Sequence, residues 1–115
     1  MKQIILAAAL TVLSTVAVAK PNAIALQPVL SITTTNGMTR IVGNMPLPVS
    51  VPADHKQTNA VIFPASPNAD RCIAMAQDSM ATGKGFQIAG ESSTLYAVDG
   101  VFTMQLTSVT KCIQF

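Results

Sequence analysis

Hydrophobic positions along this chain fall into one uncharged block at the start, several short runs of strand character and a single stretch of helical period. Residues 29–35 are rich in β-branched side chains, and 38–42 resume that character after Asn36-Gly37. Asn-Gly between two such runs marks a two-residue hairpin turn, because both residues tolerate the positive φ the turn demands. The pattern predicts a β-hairpin over 29–43. A second hairpin is predicted at Asp99-Gly100, between apolar runs at 95–98 and 101–106. Strands are also expected at 86–89, before a turn over 90–94, and at 109–115. Phe102, Met104 and Leu106 recur at period two, as do Val109, Lys111 and Ile113.

The segment between the first hairpin and the helical stretch has a different character. Pro46, Pro48 and Pro52 alternate with Leu47, Val49 and Val51. Proline has no N–H to give a central ladder, so this is read as an edge strand or a polyproline-like segment. Residues 54–59 form a polar loop, and 60–63 a short apolar run closed by Pro64.

Ser66-Pro67 then opens a helix, with Ser as N-cap and Pro at the first helical position. At 100° per residue Cys72, Ile73, Met75, Ala76 and Met80 fall on one side, and Asp70, Arg71, Gln77 and Asp78 on the other. Gly83 closes it. The expected helix covers 67–82 and packs on a sheet through Ile73, Ala76 and Met80.

The uncharged block changes how everything after it is read. Met1-Lys2 is a short positive start, residues 4–18 carry no charge, and Ala17-Val18-Ala19 offers small residues where a signal peptidase cuts. Residues 1–19 are read as a signal peptide cleaved after Ala19. The mature part, 20–115, is then a single small β-rich domain, periplasmic or secreted. The block is short for a spanning helix, which needs about 20 apolar residues, so the mature form is not expected to span a membrane.

In such a compartment two cysteines read as one bridge, and Cys72 and Cys112 are the only two. The spacing is not that of a redox motif. The expected disulfide joins the helix to the last strand and supplies a staple that a thin core needs.

Charge and composition remove function classes. The formal charge of +2 falls to +1 without Lys2, and the remaining basic residues are scattered, so nucleic-acid binding has no footprint. His55 is the only histidine, beside Asp54 in the polar loop. One His and two bridged Cys are too few for a zinc site. The acids Asp54, Asp70, Asp78, Glu91 and Asp99 stand in no recognisable catalytic setting. Met38, Met45, Met75, Met80 and Met104 show no close clustering of the kind copper sites use, and are read as packing. No enzyme, cofactor or metal is expected. Tyr96 and Phe115 are the only candidate aromatics for stacking on sugar rings, which counts against a glycan ligand.

The C-terminal half carries one resemblance. A helix leads into Ala81-Thr82-Gly83-Lys84, then Phe86-Gln87-Ile88, and the chain closes with Leu106-Thr107-Ser108-Val109-Thr110-Lys111-Cys112. Over residues 70–115 this resembles the B subunits of AB5-type toxins, in which a helix ends in a T-G-[KQ] turn before a strand. The N-terminal half has no counterpart motif. Thr82-Gly83-Lys84 also reads simply as a helix C-cap with a favourable basic residue. The resemblance implies an OB-like barrel, a glycan ligand and a ring-shaped homo-oligomer. The order of elements independently fits a Greek-key barrel.

The expectation is therefore a mainly β fold with one α-helix, an α+β domain forming a small OB-like or Greek-key barrel stapled by Cys72–Cys112. Its function is expected to be non-catalytic binding of a ligand, an envelope protein or glycan. The alternative is a structural or accessory subunit of an envelope or secreted assembly.

Overall fold

The computed structural model describes residues 22–46, 57–92 and 94–115. Along the chain run β1 (Ala23–Leu26), β2 (Val29–Thr35), β3 (Met38–Asn44), β4 (Thr58–Pro64), α1 (Pro67–Thr82), β5 (Phe86–Glu91), β6 (Thr94–Val98), β7 (Val101–Gln105) and β8 (Ser108–Gln114). They form a three-stranded sheet ordered β1-β5-β8 and a five-stranded sheet ordered β2-β3-β4-β7-β6. β4 and β7 pair in parallel, and every other ladder is antiparallel. The mainly β expectation with one helix and one disulfide is met. The two ladders stay separate sheets among the described residues, and no closed barrel forms.

Both hairpins form where the turn residues placed them. Asn36 and Gly37 have φ of 54° and 78°, and Asp99 and Gly100 have φ of 53° and 79°. Positive φ at both central residues is the type I′ signature that matches strand twist. Two strands begin where the sequence pattern does not mark them. Ala23–Leu26 is a strand, although it lies between Pro21 and Pro28. Thr58 and Asn59, expected in a polar loop, begin β4. Their polarity is accommodated locally, since Thr58 Oγ1 donates to Asn44 Oδ1 at 3.4 Å and Gln57 Nε2 to Asn59 Oδ1 at 3.2 Å. Pro48, Pro52, Asp54 and His55, and the leader 1–19, lie outside the described residues.

Of the chain segments that pass from one sheet to the other, β1–β2 and β7–β8 are tied by backbone hydrogen bonds. Between β1 and β2, Gln27 N donates to Asn44 O at 2.7 Å, and Asn44 N to Pro28 O at 3.2 Å. Between β7 and β8, Leu106 N donates to Ile62 O at 2.9 Å, and Thr107 N to Glu91 O at 3.1 Å. Each passage carries a bulge. The β2–β3 ladder pairs Val29 with Gly43 and then Ser31 with Val42, leaving out Leu30. The β5–β8 ladder pairs Gly90 with Val109 and Ala89 with Lys111, leaving out Thr110. An extra residue flips the parity of the rest of its strand. That is why Val109 is buried while Ile113 is half exposed, although period two put them on one face.

Glycines permit these close passages. A Cβ on Gly43 would sit 2.6 Å from Pro28 O and 2.8 Å from Leu26 Cβ, and one on Gly90 would meet Ser108 O and lie 2.9 Å from Leu106 Cδ1. Backbone atoms cannot swing aside as a side-chain tip can. Gly43→Ala and Gly90→Ala should each cost about 1–3 kcal/mol through overpacking. Urea midpoints equal to wild type in both variants would contradict the tight crossings.

Helix α1 has the expected ends. Ala69 N donates to Ser66 Oγ at 3.0 Å, Pro67 starts the helix, and Gly83 (φ 80°) donates its N–H to Ser79 O at 2.8 Å. Its buried face differs from expectation. Ala69, Cys72, Ala76 and Ser79 are buried, Ile73 and Met75 are partly so, and Met80 is 43% exposed. The spacing of the buried four is still one helical stripe, but of small side chains, so the helix lies close against β8 and β2 and its thioethers sit at the flanks. The Ser79 hydroxyl is satisfied by Gln114 Nε2 at 2.9 Å, which also reaches Asp78 Oδ2 at 2.8 Å. The core joins this stripe to Leu26, Ile41, Val61, Phe63, Phe86 and Ile88. Cys72 and Cys112 are disulfide-bonded with a Cα–Cα distance of 5.8 Å, tying α1 to β8. Among the described residues no helix is long and apolar enough to cross a membrane.

Candidate binding surface

The five-stranded sheet turns Ile32, Ile41, Val61 and Met104 toward the core, one from each of four neighbouring strands in register. Strand alternation sends the next residues to the opposite face. There Thr33, Arg40, Ile62, Gln105 and Thr94 stand side by side across β2, β3, β4, β7 and β6. Thr35, Met38 and Pro64 form the adjoining row, next to the Asn36-Gly37 turn. Between these rows lies a depression of about 260 Å³ lined by Thr33, Thr35, Met38, Thr39, Arg40 and Ile62.

Among the described residues Arg40 is the only charged one in that lining. It is half-buried, and among the described residues its guanidinium has neither hydrogen-bond partner nor ion pair. A guanidinium offers five donors in a fixed fork that matches a carboxylate, sulfate or phosphate. Thr33 and Thr35 add hydroxyls on the same face, and Met38 and Ile62 an apolar wall. The arrangement can hold a small anionic group in one orientation.

A second depression, also about 260 Å³, lies on the outer face of the three-stranded sheet between Ala23, Gln87, Ala89, Lys111 and Ile113. Its floor is alanine, and Lys111 at the rim is exposed to solvent. Both volumes fall below the ~300–1,000 Å³ of a typical small-molecule cleft. These surfaces suit a ligand lying across a sheet rather than one enclosed in a pocket.

The acids singled out in the sequence are dispersed. Asp70 lies in the first turn of α1, Asp78 farther along it, Glu91 at the end of β5 and Asp99 in the β6–β7 turn. No group of three His, Cys, Asp or Glu side chains converges among the described residues. Met75 and Met80 do not meet Met38, which instead lines the first depression. Tyr96 is half-buried on the Arg40 face, paired with Thr103, while Phe115 is 52% exposed beyond the end of β8. Sequence reading gives no binding role to Thr33, Thr35, Met38, Arg40 or Ile62. A usable signal is nevertheless present: a two-residue turn at Asn36-Gly37 sets Thr35 opposite Met38 and Thr33 opposite Arg40. No family model matches this chain, and no curated protein matches it significantly.

Proposed function

We propose that this chain is an exported, non-catalytic binding module that holds an acidic glycan across the outer face of β2, β3 and β4. The observation that carries the reading is Arg40, a cation without a partner among the described residues, set among hydroxyls and apolar walls in the depression between those strands. An Arg-centred face with little aromatic surface reads charge rather than the apolar faces of neutral sugars.

The element order supports the OB-like part of the proposal. When β1 with β2, β5 with β6, and β7 with β8 are each counted as one bent strand, five long strands follow the path 1-2-3-5-4-1. The helix falls between the third and fourth, and the third and fifth run parallel. The OB-fold is a partly open Greek-key barrel that takes its ligands on the face of strands 2 and 3 and their adjoining loops, where the Arg40 depression lies. The disulfide fits an extracellular or periplasmic location, and the 1–19 leader would direct the chain there. The accessory-subunit reading draws on a different observation, the exposed Leu95, Val98 and Phe102 on β6 and β7.

An array printed with neutral, carboxylated and sulfated glycans tests the proposal. The exported protein should bind acidic glycans and leave neutral ones. Arg40→Ala should weaken that binding by about 10- to 100-fold, the worth of a charged hydrogen-bonded contact, with an unchanged far-UV spectrum. Absence of acidic-glycan binding, or binding insensitive to Arg40→Ala but lost in Lys111→Ala, would move the function off this face.

A further inference from the structure

We infer that β6 is a self-association edge, through which two copies of this chain pair antiparallel about a two-fold axis at Tyr96. β6 is the last strand of the five-stranded order, so among the described residues its outer edge has no ladder partner. Protein sheets usually protect such edges with charges, proline, a bulge or a covering element. β6 reads Thr-Leu-Tyr-Ala-Val, with no charge and no proline, and its register with β7 is unbroken from Thr94 to Val98. The β2 edge at the other end of the sheet is covered in part by α1.

The chemistry of the strand selects a second copy as the occupant. Antiparallel pairing keeps opposed residues on one face, and a two-fold axis makes the contact isologous. Centred on Tyr96, the pairing engages all five residues without overhang. Leu95 meets the partner's Ala97, and Ala97 the partner's Leu95, so large faces small on both sides of the axis. Thr94 meets the partner's Val98. Tyr96 meets its own copy, an aromatic cross-strand pair of the kind that stabilises sheets.

The flanking side chains favour the same contact. On the core face Leu95 is 39% exposed and Phe102, paired with Ala97, is also 39% exposed. Pairing would join these apolar residues to their copies in one strip, extending each core face beyond its own molecule. Glu91 and Asp99 stand outside the five paired residues, so no like charges are set opposite one another.

Light scattering on the size-separated exported protein, across a dilution series, tests this directly. Wild type should show the mass of a dimer at high micromolar concentration and dissociate on dilution, as a small interface requires. Leu95→Lys should be monomeric throughout with a wild-type urea midpoint, since Leu95 is exposed in the single chain. Tyr96→Cys should cross-link to its own copy under mild oxidation while Cys72–Cys112 stays intact by mass mapping, and Thr94→Cys should not, because its opposite residue is Val98. A wild-type monomer at high concentration overturns the proposal. A dimer that survives Leu95→Lys, or one in which Tyr96→Cys fails to cross-link, overturns it as well, by assigning the contact to another surface. The glycan array reads Arg40 independently, so either proposal can fail without the other.

Discussion

Ala76→Asp should unfold this protein, and Met80→Asp should leave it folded. Hydropathy alone argues the opposite, since methionine is the larger apolar residue and alanine is neutral at most helix positions. The burial decides it. Ala76 has no exposed surface and belongs to the core cluster with Cys72, Phe86 and Ile88, whereas Met80 is 43% exposed. A carboxylate forced in at position 76 has no cation in that cluster. An uncompensated buried charge costs about 3–5 kcal/mol, and the added volume strains a helix seated on small side chains. A domain of this size holds ~5–15 kcal/mol in total, so most of its stability would be lost. At position 80 the new carboxylate stays in water, and the change should stay within about 1 kcal/mol of wild type. Near-UV circular dichroism and urea titration of both variants check this. Equal loss of structure in the two would mean that α1 presents the Met80 side to the sheets after all.

That contrast shows which parts of the molecule local sequence specifies. The ends of α1 were legible because capping is a matter of single residues: Ser66 supplies the acceptor, Pro67 fits the first turn and Gly83 accepts the left-handed conformation. The two type I′ turns were legible for the same reason. The buried face of α1 was not. Hydropathy weights Met75 and Met80 heavily and gives Ala69 and Ser79 little, but close approach to a sheet selects for smallness. Ser79 is tolerated there because Gln114, far away in sequence, meets its hydroxyl. β1 was missed because four residues between prolines look like punctuation until their partner β5 is known. The bulges at Leu30 and Thr110 reverse the outward parity of β2 and β8, and only the crossing of two sheets requires them.

The candidate site was hidden by the same kind of non-local information. Arg40 and Thr33 are neighbours through a hairpin that could be counted from its turn. Ile62 joins them only through the β3–β4 ladder, and Gln105 only through the parallel β4–β7 pairing. None of these residues is chemically unusual, so no motif search would collect them. Their shared face comes from register, and that register is set by burial of Ile41, Val61 and Met104 on the other side of the sheet.

Removing the disulfide should produce the other large effect, and the two cysteines should not be equivalent. The bridge closes a segment with a sequence separation of 40, for which chain entropy gives about 4 kcal/mol, within the ~2–5 kcal/mol usually lost with a native bridge. Cys112→Ser removes that constraint and leaves a hydroxyl at a half-buried position near solvent. Cys72→Ser removes the same constraint but leaves its hydroxyl at a site with no exposed surface, among Ala69, Ala76 and Phe86. A buried hydroxyl without a partner adds a desolvation penalty of about 1–3 kcal/mol. Stability should therefore fall from oxidised wild type to Cys112→Ser, and further to Cys72→Ser, with reduced wild type close to Cys112→Ser. Urea midpoints of the four forms read the order, and alkylation of native wild type without reductant should label neither cysteine. If Cys72→Ser proves as stable as Cys112→Ser, the hydroxyl introduced at position 72 has found an acceptor on the helix, and the penalty assigned to its burial is wrong. If reduction leaves the midpoint of wild type unchanged, the staple is dispensable, and the packing of the small-residue stripe on β8 and β2 holds α1 in place unaided.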